Sequence, residues 1–491
     1  MEWTREQRYR PYDQHSALEL LKLQRQADNS PEQLKYHIRP TSGLLNDPNG
    51  FSYFNKEWHV FYQSFPFGAA HGLKSWMHMT SPDLVHWRSH GLALAPDTEY
   101  DSHGAYSGSA RVVNGRLCLM YTGNHRDDDW IRTPYQLGAW MDHNYQVTKF
   151  YQPLFVNPST ITEHFRDPQL LEHDDRFYAI IGSQDAEKKR GHIDLWTSDQ
   201  LEYGWHELGH VDLGQDDLGY MVECPNLITV DGRQVMIFCP QGLDHQVAPY
   251  NNIYPDMYLT AESFDYDHPA MINPDAHMQN LDDGFDVYAT QAMNTADGKA
   301  YAISWVGLPD LEYPTDNQNW ANCMSQVKEL HYHDGQLYQS PVPAIRDLRQ
   351  TDQAINIDGQ VETINPEAGQ QFELNLTLPA DQTGTLHVAA KDDLSKSVAI
   401  NFDTQAGKLT IDRGHTDLPT NLDYGTSRTV DLPAHQTLSL DIFVDHSLLE
   451  VFINDGAKVM TLRYFNNQAN QMLAFDHPVQ ATGTWWPLSD M

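Results

Sequence analysis

Signals for tight β-hairpins return at a near-constant interval, and this repeat constrains the fold more than any other feature of the chain. Alternating apolar runs are joined by short polar turns, and Asn-Gly and Asp-Gly pairs in such places are strong hairpin signals. The turns begin at positions 55, 114, 174, 231 and 297, which are 59, 60, 57 and 66 residues apart. Each hairpin is followed by further strand-like runs. Five units of four strands predict a five-bladed β-propeller; a β-helix is the alternative, but its repeats are shorter and more uniform.

The segments outside the repeat have different patterns. Residues 1–38 are predicted to form a helical lead-in, because leucines recur at helical spacing there. Residues 39–340 form the predicted propeller, and residues 341–352 a linker. Short alternating runs across residues 353–491 predict a β-sandwich. The predicted fold class is therefore all-β, a five-bladed β-propeller followed by a C-terminal β-sandwich.

The charge of the chain restricts its partners. A formal net charge of −35 argues against binding to nucleic acid or to an anionic membrane surface. No run approaches the roughly 18 apolar residues that a membrane span requires. The opening residues lack the basic and apolar segments of a secretory signal. These features predict a cytoplasmic protein and leave its oligomeric state open.

Neither a metal nor a cofactor is predicted. The 4 cysteines have no metal-ligand spacing and are expected to be buried free thiols. The 25 histidines form no His-Glu-x-x-His motif or comparable cluster.

Carboxylates recur at one place within the repeat. Asp47 lies 8 residues before its turn, Asp167 lies 7 before and Glu223 lies 8 before, whereas the second unit has Tyr106-Ser107 there. Each acid alone is compatible with a plain turn or a solvated strand end. In a propeller, however, matching strand entries converge on one mouth of the central channel. Three converging acids cost repulsion and desolvation, which a structural role rarely justifies.

Such a set of acids is suited to cleaving a glycosidic bond. One carboxyl group protonates the leaving oxygen while another attacks, or activates water against, the anomeric carbon. A third can hold ring hydroxyls. Gln63, Trp76 and Arg166 are candidates to supply hydrogen bonds and an apolar face to a small sugar. The predicted partner is therefore a small-molecule sugar.

At these residues the chain resembles glycoside hydrolase family 32, which includes invertases, sucrose-6-phosphate hydrolases and fructan hydrolases. The matching motifs stand in the family's order: Asn46-Asp47-Pro48-Asn49-Gly50, Phe61-Tyr62-Gln63, Ser107-Gly108-Ser109, Arg166-Asp167-Pro168, Glu223-Cys224-Pro225, Gly284-Phe285-Asp286 and Leu449-Glu450-Val451-Phe452. Any one motif is weak, but the ordered set is specific and spans nearly the whole chain. Two departures stand out, namely Met77 in place of a usual glycine and Ser325–Leu330 in place of Leu-Pro-Arg-Glu-Leu.

The resemblance implies a retaining double displacement at the fructosyl anomeric carbon. Asp47 would be the nucleophile, and Glu223 the general acid and then the general base. Asp167 would stabilise the transition state through fructose hydroxyls, with Arg166 orienting it. The residues that the resemblance places in the fructose pocket are Leu45, Asn46, Gln63, Trp76, Tyr106, Ser107 and Arg166.

The substrate implied is sucrose 6-phosphate, sucrose or both. The opening residues up to Tyr12, and Arg132 to Gln136, resemble the sucrose-6-phosphate subgroup. Arg132 and the run Lys188–Arg190 are candidates to hold a phosphate, although a solvated loop is the simpler interpretation of that run. Open alternatives are an intracellular β-fructofuranosidase acting on sucrose and short fructo-oligosaccharides, a fructosyltransferase, an inverting arabinan-cleaving propeller enzyme, and a non-catalytic sugar-binding propeller.

Overall fold

The structure, a computed structural model, describes residues 3–491. Two α-helices lie in its lead-in, α1 (Arg5–Arg8) and α2 (Ala17–Asp28). Short 3-10 turns lie at Tyr12–Gln14, Glu99–Asp101, Pro314–Gln318, Pro343–Leu348 and Leu422–Tyr424. No helix among the described residues has the length and apolar character needed to cross a membrane. Almost all remaining regular structure is strand, so the prediction of an all-β protein is confirmed.

Twenty-five strands, β1–β25, precede the turn at Pro343–Leu348. In chain order they are β1 (Gly43–Phe54), β2 (Glu57–Phe65), β3 (Ser75–Ser81), β4 (Arg88–Leu94), β5 (Ala105–Val113), β6 (Arg116–Arg126), β7 (Arg132–Met141), β8 (Val147–Lys149), β9 (Phe155–Val156), β10 (Ile161–His173), β11 (Arg176–Asp185), β12 (Gly191–Ser198), β13 (His206–His210), β14 (Met221–Val230), β15 (Arg233–Gln241), β16 (Met257–Ala261), β17 (Ser263–Asp265), β18 (Ala270–Ile272), β19 (Gln279–Asn280), β20 (Val287–Asn294), β21 (Ala300–Val306), β22 (Trp320–Ala321), β23 (Cys323–Met324), β24 (Lys328–His333) and β25 (Gln336–Pro341).

These strands build five principal sheets, each with a core of four antiparallel strands. The strand orders are β1-β2-β3-β4, β5-β6-β7-β8, β10-β11-β12-β13, β14-β15-β16-β19 and β20-β21-β24-β25. The short strands β22, β9 and β23 extend three of the sheets, and β17 and β18 form a separate ribbon. The first strands of the five sheets contact one another in sequence, and β20 contacts β1. The first strands therefore surround a common centre.

Strands in the middle of these sheets are apolar on both faces because each sheet packs between two others. On β15, Met236 and Phe238 pack against side chains of β11 and β12, whereas Val235 and Ile237 pack against side chains of β20 and β21. Burial of each such side chain stabilises the fold by about 1.5–3 kcal/mol. This two-sided burial explains the nearly continuous apolar runs in the sequence.

The C-terminal part contains two six-stranded sheets. Its strands are β26 (Gln353–Gln360), β27 (Thr363–Asn365), β28 (Gln371–Leu378), β29 (Thr383–Ala390), β30 (Val398–Asp403), β31 (Lys408–Asp412), β32 (Ser427–Asp431), β33 (Leu438–Asp445), β34 (Leu448–Ile453), β35 (Lys458–Arg463), β36 (Met472–Phe475) and β37 (Val479–Pro487). The sheet orders are β26-β37-β28-β33-β34-β35 and β27-β36-β29-β30-β31-β32. Leu374 and Leu376 of one sheet and Ile400 and Ile411 of the other share a single buried apolar core, as in a β-sandwich.

The lead-in packs beside the first sheet. Tyr9, Tyr12 and Leu20 lie against the buried Phe65 and Phe67. The Tyr9 ring also meets the Trp130 ring edge-on at 5.2 Å. The lead-in therefore reaches the tip of the β6–β7 hairpin, at the same end of the molecule as the start of β5.

Candidate active site

The first strands of the five principal sheets carry irregularities at one level. Their pairing with the second strands shifts in register around Asp47, Tyr106-Ser107, Asp167, Cys224-Pro225 and Ala289-Thr290. Asp167, Cys224 and Ala289 have left-handed backbone conformations, with φ of 67°, 49° and 51°. A β-bulge re-aims side chains, and strained backbone of this kind is found at functional sites. The bulges therefore turn the predicted acids toward the common centre of the sheets.

Asp47 is surrounded by neutral donors. Its Oδ1 accepts a hydrogen bond from Asn46 Nδ2 at 3.0 Å, and its Oδ2 accepts one from Gln63 Nε2 at 3.2 Å. Ser107 Oγ also donates to Oδ2 and accepts from Gln63 Nε2. Burial raises the pKa of Asp47, and the nearby charge of Glu223 adds to this effect. An incompletely solvated carboxylate with well-placed donors is suited to nucleophilic attack.

Asp167 is also close to Asp47. Its Oδ2 accepts a hydrogen bond from the backbone N–H of Cys224 at 3.1 Å, and the Cys224 Sγ lies 3.6 Å from the same oxygen. Ligand-type atoms of Asp47, Asp167 and Cys224 all lie within 4.8 Å of one another. Burial raises the pKa of Asp167 to about 7, although the charge of Arg166 opposes the shift. The two aspartates thus share one small, poorly solvated space.

Glu223 has a different, more fully bonded environment. Its Oε1 accepts two hydrogen bonds from Arg166, from Nε at 2.9 Å and from Nη2 at 2.7 Å. Its Oε2 accepts from Tyr288 OH at 2.7 Å and from Gln241 Nε2 at 2.8 Å. Arg166 therefore orients Glu223, which differs from the expectation that it orients Asp167. The reason is geometric, because consecutive side chains of a strand point to opposite faces, and the pairing of β10 with β11 shifts in register between Arg166 and Gln169.

Comparison with known proteins shows where this arrangement belongs. The model of the glycosyl hydrolases family 32 N-terminal domain matches residues 37–341, and that of the family 32 C-terminal domain matches residues 344–484. The chain belongs to glycoside hydrolase family 32. It is therefore a glycosidase, with the N-terminal β-propeller and C-terminal β-sandwich of that family.

Similar proteins cover nearly the whole chain. Sucrose-6-phosphate hydrolase of Pediococcus pentosaceus is 47% identical over 488 residues, covering 99% of this chain and 96% of the relative. That of Streptococcus mutans is 45% identical over 461 residues, covering 94% of each. The structure of sucrose-6-phosphate hydrolase from Lactobacillus gasseri has a TM-score of 0.97 at 55% identity, covering 100% of both chains. A mutant Bombyx mori family 32 β-fructofuranosidase in complex with sucrose has a TM-score of 0.82 at 28% identity, covering 96% of this chain and 97% of that one.

Two of the predicted binding residues are buried beneath the site of this family 32 enzyme. Leu45 is 0% exposed and packs in an apolar core, and its carbonyl oxygen accepts a hydrogen bond from Asn322. Trp76 is also 0% exposed, and its Nε1 donates to the Tyr106 carbonyl oxygen at 2.9 Å. Neither side chain presents a surface to a sugar. Trp76 positions Tyr106 from below, and Leu45 anchors the start of the Asp47 motif.

Lys74 is a functional candidate that sequence reasoning missed. Its ammonium group donates to Asn46 Oδ1, and the side chain is buried. Burial lowers the pKa of Lys74 to about 7, against the opposing attraction of Asp47. The signal available in the sequence was a lysine within the otherwise uncharged run Gly72–Met77, two residues before Trp76.

Proposed function

We propose that this enzyme is a retaining fructosidase that cleaves the terminal β-D-fructofuranosyl bond of sucrose 6-phosphate, and of sucrose, through a fructosyl-enzyme intermediate. The observation that carries the proposal is the convergence of Asp47, Asp167 and Glu223 from the bulged first strands of three sheets. Two carboxylates acting on opposite sides of a glycosidic bond, with a third beside them, suit hydrolysis by double displacement.

In the first step, Asp47 attacks the anomeric carbon of the fructosyl unit. Hydrogen bonds from Asn46 to Oδ1, and from Gln63 and Ser107 to Oδ2, hold the carboxylate in one orientation before the attack. Glu223 gives its proton to the glycosidic oxygen as the bond to the leaving sugar breaks. The products of this step are a fructosyl ester of Asp47 and the released sugar.

In the second step, Glu223 removes a proton from water, which then attacks the same carbon and frees Asp47. The two inversions give net retention. Tyr288 and Gln241 keep Oε2 of Glu223 in one orientation in both steps. Asp167 is proposed to bind fructose hydroxyls and to offset positive charge at the ring in the transition state.

Gln63, Ser107, Tyr106, Asn46 and Arg166 complete the proposed pocket. All are buried or half-buried at the level of the acids. Ser107 and Gln63 contact Asp47 directly, while Asn124 Nδ2 donates to Tyr106 OH at 3.2 Å. Leu45 and Trp76 act from beneath the pocket, as positioning residues.

We also propose the number of propeller blades, the domain boundaries and the cellular location of the enzyme. The five principal sheets would be the blades of a five-bladed propeller, which the contact of β20 with β1 supports. The division into residues 1–38, 39–340, 341–352 and 353–491 is proposed as the domain organisation. Four free, buried cysteines suit a reducing compartment, in agreement with a cytoplasmic enzyme.

The experiment that tests this function compares kcat/KM for sucrose 6-phosphate, sucrose and 1-kestose, with the first-formed fructose anomer followed by NMR. We expect preference for the phosphorylated sugar and initial release of the β-furanose form. Equal or higher values on the neutral sugars would instead identify a β-fructofuranosidase of broader substrate range. Release of the α anomer, or no release of fructose from any of the three, would overturn the proposal.

A further inference from the structure

We propose that the tip of the β6–β7 hairpin holds the phosphate of the substrate, with Arg126 and Arg132 as its cationic ligands. This inference rests on the proposed function and adds the phosphate-binding site that the reaction on sucrose 6-phosphate needs. The ligand class is a phosphate monoester carried by the leaving sugar.

The position of the two arginines is set by strand register. Arg126 is the last residue of β6, Arg132 is the first of β7, and the two are paired directly across the ladder. Along the same ladder, Gly123 of β6 also pairs with Ala105 at the start of β5, just before Tyr106 and Ser107. The arginine pair therefore stands at the catalytic mouth, slightly outside the level of the acids.

A directly opposed pair of cations is unfavourable unless an anion lies between or beside them. Within residues 3–491, the contacts of both guanidinium groups are neutral. Arg126 Nη1 donates to the Trp130 carbonyl oxygen at 2.8 Å, and Arg132 Nη2 donates to the Glu163 carbonyl oxygen at 2.9 Å. The Nε groups of both arginines are buried without a hydrogen-bond partner in the described chain. Two desolvated guanidinium groups with unused donors suit a doubly charged oxyanion.

The acidic residues nearby are already engaged. Asp127, at the hairpin tip, accepts hydrogen bonds from the backbone N–H groups of Asp129 and Ile131. The Glu163 carboxylate lies 4.0 Å from His164 Nε2 on a half-exposed side chain. Neither carboxylate, nor that of Asp128 or Asp129 in the same turn, forms an ion pair with Arg126 or Arg132 among the described residues, so the pair has no bonded counter-charge.

A chain of contacts joins this pair to the general acid. Arg132 Nη2 lies 3.3 Å from His164 Nδ1, His164 Nδ1 lies 3.1 Å from Arg166 Nη1, and Arg166 holds Glu223. Because Glu223 protonates the leaving oxygen, the leaving sugar sits on this side of the site. Arg126, Arg132 and Arg166 also act on Tyr106, whose pKa burial raises to about 12 while their charges oppose the rise. A phosphate on the leaving sugar would thus meet the arginine pair.

The other cationic candidate, Lys188–Arg190, lacks these features. Asp185 accepts hydrogen bonds from the backbone N–H groups of Lys188 and Arg190, and Arg190 Nη1 lies 3.8 Å from Asp217. This run is therefore a turn organised by Asp185, and its Arg190 is already paired with Asp217.

The test measures the ratio of kcat/KM for sucrose 6-phosphate to kcat/KM for sucrose in Arg126→Gln and in Arg132→Gln. Loss of one charge-assisted contact should lower this ratio by about 10- to 100-fold. The matched control is Arg111→Gln, the same change on β5, where Arg111 forms an exposed ion pair with Glu172. Its ratio should stay within about twofold of wild type. An unchanged ratio in both hairpin variants, with wild type still preferring the phosphorylated sugar, would overturn this inference but leave the proposed function intact.

Product inhibition gives a second measurement that does not depend on the folding of one variant. With sucrose as substrate, glucose 6-phosphate should inhibit the wild-type enzyme at least tenfold more strongly than glucose, and this difference should shrink in Arg126→Gln. Equal inhibition by glucose and glucose 6-phosphate would contradict the site. Stronger inhibition by inorganic phosphate than by glucose 6-phosphate would contradict the proposed ligand class, because the site would then bind free phosphate without recognising the sugar. If wild type releases no fructose from either substrate, the proposed function itself fails.

Discussion

Two buried regions of this molecule differ in whether their carboxylates are bonded to cations. At the junction of the two domains, His37 contacts Asp445 Oδ2 through Nδ1 and Glu450 Oε2 through Nε2, each at 2.9 Å. Lys328 Nζ lies 4.0 Å from Glu450 Oε1. At the catalytic mouth, Asp47 and Asp167 accept hydrogen bonds only from neutral donors among the described residues. The junction pairs its carboxylates with cations, whereas the two aspartates at the mouth have no bonded cation and remain available to a substrate.

The pKa values show the consequence. Burial raises the pKa of Glu450, but the hydrogen bond and charge of His37 outweigh it, so the net shift is downward. His37 in turn has a pKa raised to about 9 by the two acids, despite desolvation. Burial raises the pKa of Asp167 to about 7, and the charges of Glu223 and Asp47 add to this shift, whereas Arg166, which bonds to Glu223, opposes it only through its charge. Two fully buried carboxylates thus have pKa values shifted in opposite directions. Glu450, with a cation bonded to it, has a lowered pKa, and Asp167, without one, has a raised pKa.

The largest expected effect is a loss of turnover when a carboxylate at the catalytic mouth is replaced. Asp47→Asn and Glu223→Gln keep the shape of each side chain but remove the nucleophile or the proton donor, so kcat should fall at least about 10³-fold. Steady-state assays on sucrose 6-phosphate measure the loss, and thermal melting checks that the fold survives. Glu172→Gln, which changes an exposed carboxylate, is the matched control. Turnover near that of wild type in either site variant would remove that residue from its role.

The same carboxylate-to-amide change at the junction should cost stability. Glu450→Gln breaks a fully buried charge network and leaves Lys328 and His37 undercompensated, which is expected to cost about 3–5 kcal/mol. The contribution of Glu450 is present above its ordinary pKa of 4.5 and is lost as the pH falls below it. The Tm difference from wild type should therefore be large at pH 7 and narrow in acid. A variant as stable as wild type at pH 7 would contradict the network's role.

The smallest expected effect is a gain in stability at the mouth, opposite in sign to the loss expected at the junction. The folded-state pKa of Asp167 is raised from 3.8 to about 7, so the folded chain binds a proton in this window that the unfolded chain does not. Its contribution to stability falls as the pH rises from about 4 to about 7. Asp167→Asn should raise the Tm at pH 8 by about 2 °C or more, while losing activity, and the gain should vanish toward pH 4. A lower Tm at pH 8 would show that Asp167 stabilises the fold.

Many strands and turns of the fold could be predicted from the sequence, because the patterns that specify them are local. Asn114-Gly115 and Asp231-Gly232 do form turns, between β5 and β6 and between β14 and β15. Matching positions before such turns led to Asp47, Asp167 and Glu223. Periodicity identifies strands and their order, since turn chemistry and apolar alternation depend on neighbours in the sequence.

The errors and omissions arose where position depends on distant residues. Arg166 was assigned to Asp167, its neighbour in sequence, but its guanidinium bonds to Glu223, 57 residues away. Tryptophan is a residue type that often stacks on sugars, but side chains of the sheet β5-β6-β7-β8 cover the Trp76 ring. Lys74 was overlooked because nothing local shows that Asn46 accepts its hydrogen bond.

The amino-acid sequence alone determined that this chain is all-β, which three acids occupy equivalent places in its repeat, and that it belongs with sugar-cleaving enzymes. Only the tertiary structure decided which carboxylate has a bonded cation and which does not, and that Arg126 and Arg132 pair across the β6–β7 hairpin. The physical reason is that strand periodicity is encoded within a few residues. Electrostatic environments are instead summed over every side chain that folding brings within a few ångströms.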